Sequence, residues 1–201
     1  MGLNQYLSKH GFRHLEGHCQ QLYGQVIDLT ALSGGGLDES SDRKNLRIME
    51  IGFNAGHSAD IFLKNRGSRL VSFDLGSHDY VGVAKKYIDE LHPNRHLLIL
   101  GDSRETLSKF MDQYPDEAHF DVIFIDGGHD YDIAKSDLDN CLKMSSKDTL
   151  IIMDDIVTGQ QYQWTEGPSK VWEEAIASNL IKQIGKSDYC PGRGMRWAYK
   201  V

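Results

Sequence analysis

Cysteine is scarce in this chain: three residues in 201, Cys19, Cys141 and Cys190, far apart and without a CxxC spacing. An odd, scattered set makes neither a disulfide framework nor a zinc site, and it predicts reduced thiols in a cytoplasmic setting. Basic residues are outnumbered, 22 Lys and Arg against 29 Asp and Glu, for a formal net charge of −7. That argues against a duplex nucleic-acid binder, which needs a basic face to neutralise phosphates. No run approaches the roughly 18 apolar residues of a membrane span, so no membrane partner is expected. The opening MGLNQYLSKHG is too polar for a signal peptide, and Tyr6 stands where a myristoylation signal wants Ser or Thr. The dinucleotide fingerprint GxGxxG is absent, and so is any internal repeat.

What is present is an ordinary globular composition, 40% apolar and 25% charged, enough for one sizeable core. Residues 1–32 read as helical, with Leu15, Cys19, Leu22, Tyr23, Val26 and Ile27 at mixed helical spacing. A polar Gly/Ser/Asp stretch over 33–42 reads as a linker. This divides the chain into an N-terminal helical segment and linker, 1–44, and a main domain, 45–201. In the main domain short apolar runs alternate with helical patterns. Strands are expected at Leu46–Ile51, Leu70–Phe73, Leu97–Leu100, Val122–Ile125 and Leu150–Met153. Helices are expected at His57–Lys64, over about 79–91, around Leu107–Tyr114, around Tyr131–Leu142, and after Pro168, placed in a helix first turn. Ile181–Ile184 and Met195–Tyr199, joined by a Pro-Gly-x-Gly turn, read as a hairpin. The alternation predicts an α/β, doubly wound sheet of right-handed βαβ units. In such a sheet the ligand lies past the carboxyl ends of the strands.

The residues at those ends carry the chemistry. Glu50-Ile51-Gly52-Phe53-Asn54-Ala55-Gly56-His57-Ser58 follows the first strand. Its two glycines allow a tight turn and a close approach to a ligand, though a purely structural turn needs the same residues. Asp74, 22 residues past Gly52, ends the second strand, followed by Leu75. A carboxylate there can accept both hydroxyls of a ribose. Asp102, Ser103 and Glu105 follow the third strand and resemble a capping box, which is compatible with reading an adenine edge. The sharpest signal is Asp126-Gly127-Gly128-His129 after the fourth strand and Asp154-Asp155 after the fifth. Three carboxylates crowded together repel unless a cation neutralises them or one is protonated. Oxygen donors of this kind suit Mg²⁺, Mn²⁺ or Ca²⁺.

Taken together, residues about 46–201 resemble a class I S-adenosylmethionine-dependent methyltransferase, and more narrowly the metal-dependent O-methyltransferases that include the macrocin (sugar) and catechol enzymes. The resemblance implies a Rossmann-like, mostly parallel seven-stranded sheet with a C-terminal antiparallel hairpin. It implies S-adenosylmethionine bound by Glu50, Gly52, Asn54, His57, Ser58, Asp74, Leu75, Asp102, Ser103 and Asp126, and a divalent ion, Mg²⁺ or Mn²⁺, on Asp126, Asp154 and Asp155. His129 stands three residues beyond Asp126, where catechol-type enzymes carry a lysine base and sugar-type enzymes a histidine. Asp154 is shorter than the glutamate common in the sugar enzymes. His129 is then the general base, and His129, Asp155 and Trp164 face the acceptor, a sugar or glycan with adjacent hydroxyls. A catechol or phenol acceptor is the alternative. A nicotinamide oxidoreductase and a non-catalytic nucleotide-binding module are the rivals from other classes. Trp172 and Trp197 are expected in the core. Residues 1–32 either cover the donor or form a homo-oligomer contact, and the sequence leaves both open.

Overall fold

The computed structural model describes residues 1–34 and 45–201. The expected linker therefore lies, from residue 35 on, outside the described residues, and the boundary between 44 and 45 falls at their edge. Five parallel strands form first: β1 (Arg47–Ile51), β2 (Arg69–Asp74), β3 (His96–Leu100), β4 (Val122–Ile125) and β5 (Leu150–Asp154). Two antiparallel strands close the chain, β6 (Ile181–Cys190) and β7 (Arg193–Lys200). They assemble into one sheet in the order β3-β2-β1-β4-β5-β7-β6, with β7 inserted antiparallel between β5 and β6. The order reverses between β1 and β4, where Ile51 pairs with Phe73 on one side and Ile125 on the other. That crevice is where an open α/β sheet binds its ligand.

Alternate residues of each strand serve opposite faces. Ile48, Leu70, Val122, Phe124 and Ile152 pack with α3 (His57–Phe62) and α4 (Val81–Leu91) in one cluster. Met49, Phe73, Ile123, Ile151 and Met153 pack with α5 (Ser103–Gln113), α6 (Tyr131–Lys143) and α7 (Gln163–Ala177) in the other. Both faces being covered explains why the strands read as continuous apolar runs. Trp172 is buried as expected and donates its indole N–H to Gln183 Oε1 at 2.8 Å. Trp197 is only half-buried, lying over Gly185.

Three local expectations are corrected. Residues 1–32 are not one helical stretch: α1 (Leu3–Lys9) and α2 (Tyr23–Leu32) flank a non-helical run that ends in a short 3-10 turn at Cys19–Gln21. Gly11, at φ +94°, ends α1 in the left-handed region that glycine adopts without strain. Pro168 is not in a first turn but is the sixth residue of α7. The helix starts earlier because Thr165 Oγ1 accepts the Tyr162 N–H at 2.8 Å, and the proline leaves the Trp164 carbonyl without its helical donor. Asp102 caps α5 through the Arg104 N–H at 3.0 Å, but Glu105 does not complete a capping box, because its carboxylate pairs with Lys109 at 2.9 Å.

The N-terminal helices pack into the same core as the sheet. Leu3, Tyr6 and Leu7 of α1 and Leu29 of α2 are buried there. All three cysteines are unpaired thiols. No helix among the described residues is long and apolar enough to cross a membrane.

Candidate active site

A cleft of about 710 Å³ opens over the carboxyl ends of β1 to β5. Its floor is the ends of the adjacent strands β1 and β4 and the turns that follow them. Gly52 holds φ +94°, and a Cβ there would coincide with the Asp126 carbonyl oxygen, so only glycine lets the two turns lie side by side. Asn54 and Asp155 also adopt left-handed backbone, at φ +50° and +58°. Asn and Asp tolerate that region better than most residues, and such conformations gather at functional sites.

At one end, Asp74 is held by its own turns. Its Oδ2 accepts the Asn54 backbone N–H and its Oδ1 the Gly76 N–H, each at 2.7 Å. Each carboxylate oxygen keeps a lone pair for a ligand hydroxyl. Leu75, Asp102, Ser103 and Arg104 line the same end. The Arg104 guanidinium clamps Asp102 and lowers its carboxyl to about 2.

At the other end stand the acids of β4 and β5. Asp154 is buried; its Oδ2 accepts Gln25 Nε2 at 2.6 Å, and its Oδ1 has no partner among the described residues. Burial and the neighbouring carboxylates push both Asp126 and Asp154 up from the ordinary carboxylate range. Asp155 Oδ2 pairs with His129 Nε2 at 2.8 Å. That hydrogen bond raises the imidazole against the opposing effect of burial. Trp164 reaches this end from α7, its Nε1 donating to the Gly192 carbonyl at 2.8 Å and its ring stacked on Tyr162 at 5.0 Å.

Among the described residues no group of three or more His, Cys, Asp or Glu side chains stands assembled as a metal cage. The donor chemistry nevertheless fits a hard divalent cation. Asp126, Asp154 and Asp155 offer only oxygens, burial and neighbouring carboxylates disfavour the anions of Asp126 and Asp154, and one buried oxygen of Asp154 is left over.

Of the residues singled out in the sequence, Gly52, Asn54, Asp74, Leu75, Asp102, Ser103, Asp126, His129, Asp154, Asp155 and Trp164 come together on the cleft wall. Glu50, His57 and Ser58 do not reach it. Glu50 is fully buried beneath the turn, accepting Ser58 Oγ at 2.7 Å and Ser72 Oγ at 2.6 Å. Burial raises its carboxyl to about 7, the two hydroxyls opposing that rise. His57 bonds Asn4 Oδ1 at 2.7 Å and stacks on His18 at 3.5 Å. Burial, and then His18, lowers His57 to about 3. These three brace the turn from below and tie it to the N-terminal segment.

Several wall residues escape a reading of the sequence. Glu16 and Gly17 cover the cleft from the N-terminal run, Glu16 meeting His78 at 3.1 Å; nothing local marks them. Arg193 comes from the start of β7. Gln25, which holds Asp154 from behind the wall, leaves one faint signal, a polar residue buried on a largely apolar helix face.

Comparison with known proteins agrees with this geometry. A family described as a methyltransferase domain matches residues 49–156, more than half of the chain. No curated protein matches the chain. Among solved structures, the O-methyltransferase TomG from Streptomyces achromogenes, in complex with SAM, is similar at a TM-score of 0.71 and 18% identity, over 99% of this chain and 87% of that one. An O-methyltransferase from Bacillus cereus, in complex with SAH, is similar at 0.64 and 20% identity, over 99% and 97%. CalS11, a TDP-rhamnose 3'-O-methyltransferase of calicheamicin biosynthesis, is similar at 0.65 and 17% identity, over 86% and 78%. By the span of the family match and by its seven-stranded sheet, this chain belongs to the methyltransferase-domain family and has the Rossmann-like fold of class I S-adenosylmethionine-dependent methyltransferases.

Proposed function

We propose that the chain is a divalent-metal-dependent O-methyltransferase, moving the methyl group of S-adenosylmethionine to one hydroxyl of a sugar or glycan vicinal diol, with His129 as general base. The observation that carries this reading is the His129–Asp155 pair at 2.8 Å, set at one end of a cleft whose other end offers the tethered carboxylate of Asp74.

The donor brings an electrophilic methyl group and its own leaving group, so the protein's task is orientation. Asp74 would take the ribose hydroxyls. Asp102 and Ser103 would edge the adenine, with Leu75 against its face. Gly52 and Asn54 would let the methionine part lie close to the backbone, above Asp126. Glu50, His57 and Ser58 would hold that turn without touching the donor.

Asp126, Asp154 and Asp155 would hold Mg²⁺ or Mn²⁺. A bound divalent ion lowers the pKa of a coordinated hydroxyl and fixes its position. Two adjacent hydroxyls suit such an ion as a chelate, which favours a diol. His129 would accept the proton from the attacking hydroxyl while Asp155 orients the ring and stabilises the imidazolium. Trp164 offers a flat apolar face for a sugar ring. One of the similar folds, CalS11, is named for methylating a TDP-sugar, which agrees with a sugar acceptor here. A catechol or phenol is the competing acceptor: a catechol also carries two adjacent hydroxyls, and either ring would stack on Trp164. The three unpaired thiols suit a cytoplasmic setting.

The test is methyl transfer from S-adenosylmethionine to matched sugar and catechol diols, with Mg²⁺ or Mn²⁺ and with chelator. We expect turnover on sugars only with metal, and a loss of about 10²–10⁴-fold in His129→Ala. Turnover that survives chelation, or is untouched by His129→Ala, would sink the mechanism; turnover on catechols alone would move the acceptor to the alternative class.

A further inference from the structure

We propose that Arg193 is a specificity-determining residue that binds an anionic group, a phosphate or a carboxylate, on the acceptor. The inference rests on the methyl-transfer reading above and narrows its substrate class.

Arg193 begins β7 and lines the cleft. Its position is fixed from behind. Gly192, at φ +75°, accepts the Trp164 indole N–H at 2.8 Å, and a Cβ there would press on Trp164 at 2.8 Å and Tyr162 at 3.0 Å. The turn is therefore locked to the side chain that walls the acceptor end. The outer end of Arg193 passes Gly17, where a Cβ would lie 3.3 Å from Nη1. It is close enough to lower His18, Asp126 and Asp154 electrostatically.

Yet the Arg193 side chain makes no hydrogen bond or ion pair with any described residue, and its Nε is buried without a partner. Arg104, the other arginine on the wall, is clamped onto Asp102. Arg196, three residues on, is tied to Asp188 at 2.6 Å. A guanidinium held in a half-buried cleft with its fork unfilled matches a planar, bidentate oxygen anion. If it served only to neutralise the acids, an ion pair with one of them would be expected, and none forms. The acids would hold the ion and, through it, the reacting hydroxyls, so Arg193 would hold a charged group elsewhere on the same molecule.

The test uses protein saturated with S-adenosylhomocysteine and freed of metal by chelation, so that an anion cannot bind through an ion. Glucose 1-phosphate, glucuronate and methyl glucoside are titrated calorimetrically into wild type, Arg193→Met and Arg193→Lys. We expect at least one of the two anions to bind and the neutral glycoside to bind at least tenfold more weakly. Arg193→Met should lose at least tenfold in anion affinity and Arg193→Lys less, with S-adenosylhomocysteine affinity within twofold throughout, which also reports folding. Whichever anion binds identifies phosphate or carboxylate as the source. The proposal is overturned if neither anion binds wild type, if the neutral glycoside binds equally well, if Arg193→Met keeps its anion affinity, or if the loss falls on S-adenosylhomocysteine instead. Failure of wild type to bind S-adenosylhomocysteine at all would instead remove the methyl-transfer reading, and this inference with it.

Discussion

Gly167 of α7 lies directly against the backbone of His129: a Cβ on Gly167 would strike the His129 carbonyl oxygen and stand 2.8 Å from the Tyr131 nitrogen. The helix that carries Trp164 thereby sets the position of the loop that carries the proposed base. Gly167→Ala must push that loop outward. A displacement of about 1 Å in a positioned catalytic group can cost about 100-fold. We expect kcat to fall by roughly that factor while S-adenosylmethionine affinity, measured calorimetrically, stays near wild type. Unchanged kcat would mean that His129 does not act from this position.

Asp74 should carry a large share of donor affinity. Asp74→Ala removes the proposed ribose acceptor and also strands the Asn54 and Gly76 N–H groups it now satisfies. Hydrogen bonds to a charged group contribute about 1.5–3 kcal/mol, so titration should show S-adenosylmethionine binding weakened by at least about tenfold. Asp74→Asn, which keeps one acceptor oxygen, should fall between. Wild-type affinity in Asp74→Ala would place the donor elsewhere.

Glu50 makes stability depend on pH in a defined direction. Its carboxyl is raised from an ordinary 4.5 to about 7 in the folded protein, so folding favours the protonated form. That contribution is complete below 4.5 and is lost as pH rises through 7. The difference corresponds to about 3 kcal/mol. Other groups titrate over the same range, His57 in the opposite sense, but they are common to wild type and Glu50→Gln and cancel in the comparison. Urea unfolding should therefore show Glu50→Gln gaining on wild type by up to about 3 kcal/mol between pH 5 and pH 8. A difference flat with pH would mean that Glu50 is ionised in the fold.

The N-terminal helix is part of the folded unit. Leu7 is fully buried in the cluster that includes Phe62 and Ile88. Leu7→Ala should cost about 3 kcal/mol in chemical unfolding, within the 2–5 kcal/mol typical of such core truncations. A loss under about 0.5 kcal/mol, the scale of surface substitutions, would show α1 undocked in solution.

The strand-end acids were legible because a parallel sheet puts its chemistry where an apolar run stops. Ile51, Phe73, Ile125 and Met153 each announce the residue that follows. Strand alternation also announces the two-sided core. The depth of a residue within a turn is not written in that pattern. Glu50 and Ser58 sit in the same motif as Gly52 and Asn54, but Glu50 is an inward residue of β1 and Ser58 faces it from α3, so they brace the turn while their neighbours line the cleft. The N-terminal run misled because Leu15, Cys19 and Leu22 have helical spacing, while Gly11 stops the helix before they can use it. Gln25 meets Asp154, and Arg193 the cleft, only through tertiary packing, Gln25 standing 129 positions from its partner, and no local pattern reports such a meeting.

The antiparallel insertion of β7 beside β5 has a bearing on how such a protein diversifies. The turns that would grip the donor all precede Ile156, where the family match ends. Trp164, Gly192 and Arg193 come after it and are fastened to one another. Residues 157–201, less than a quarter of the chain, are in effect a cassette: their side chains can be rewritten to suit a new acceptor while the part within the family match would go on handling the same methyl donor.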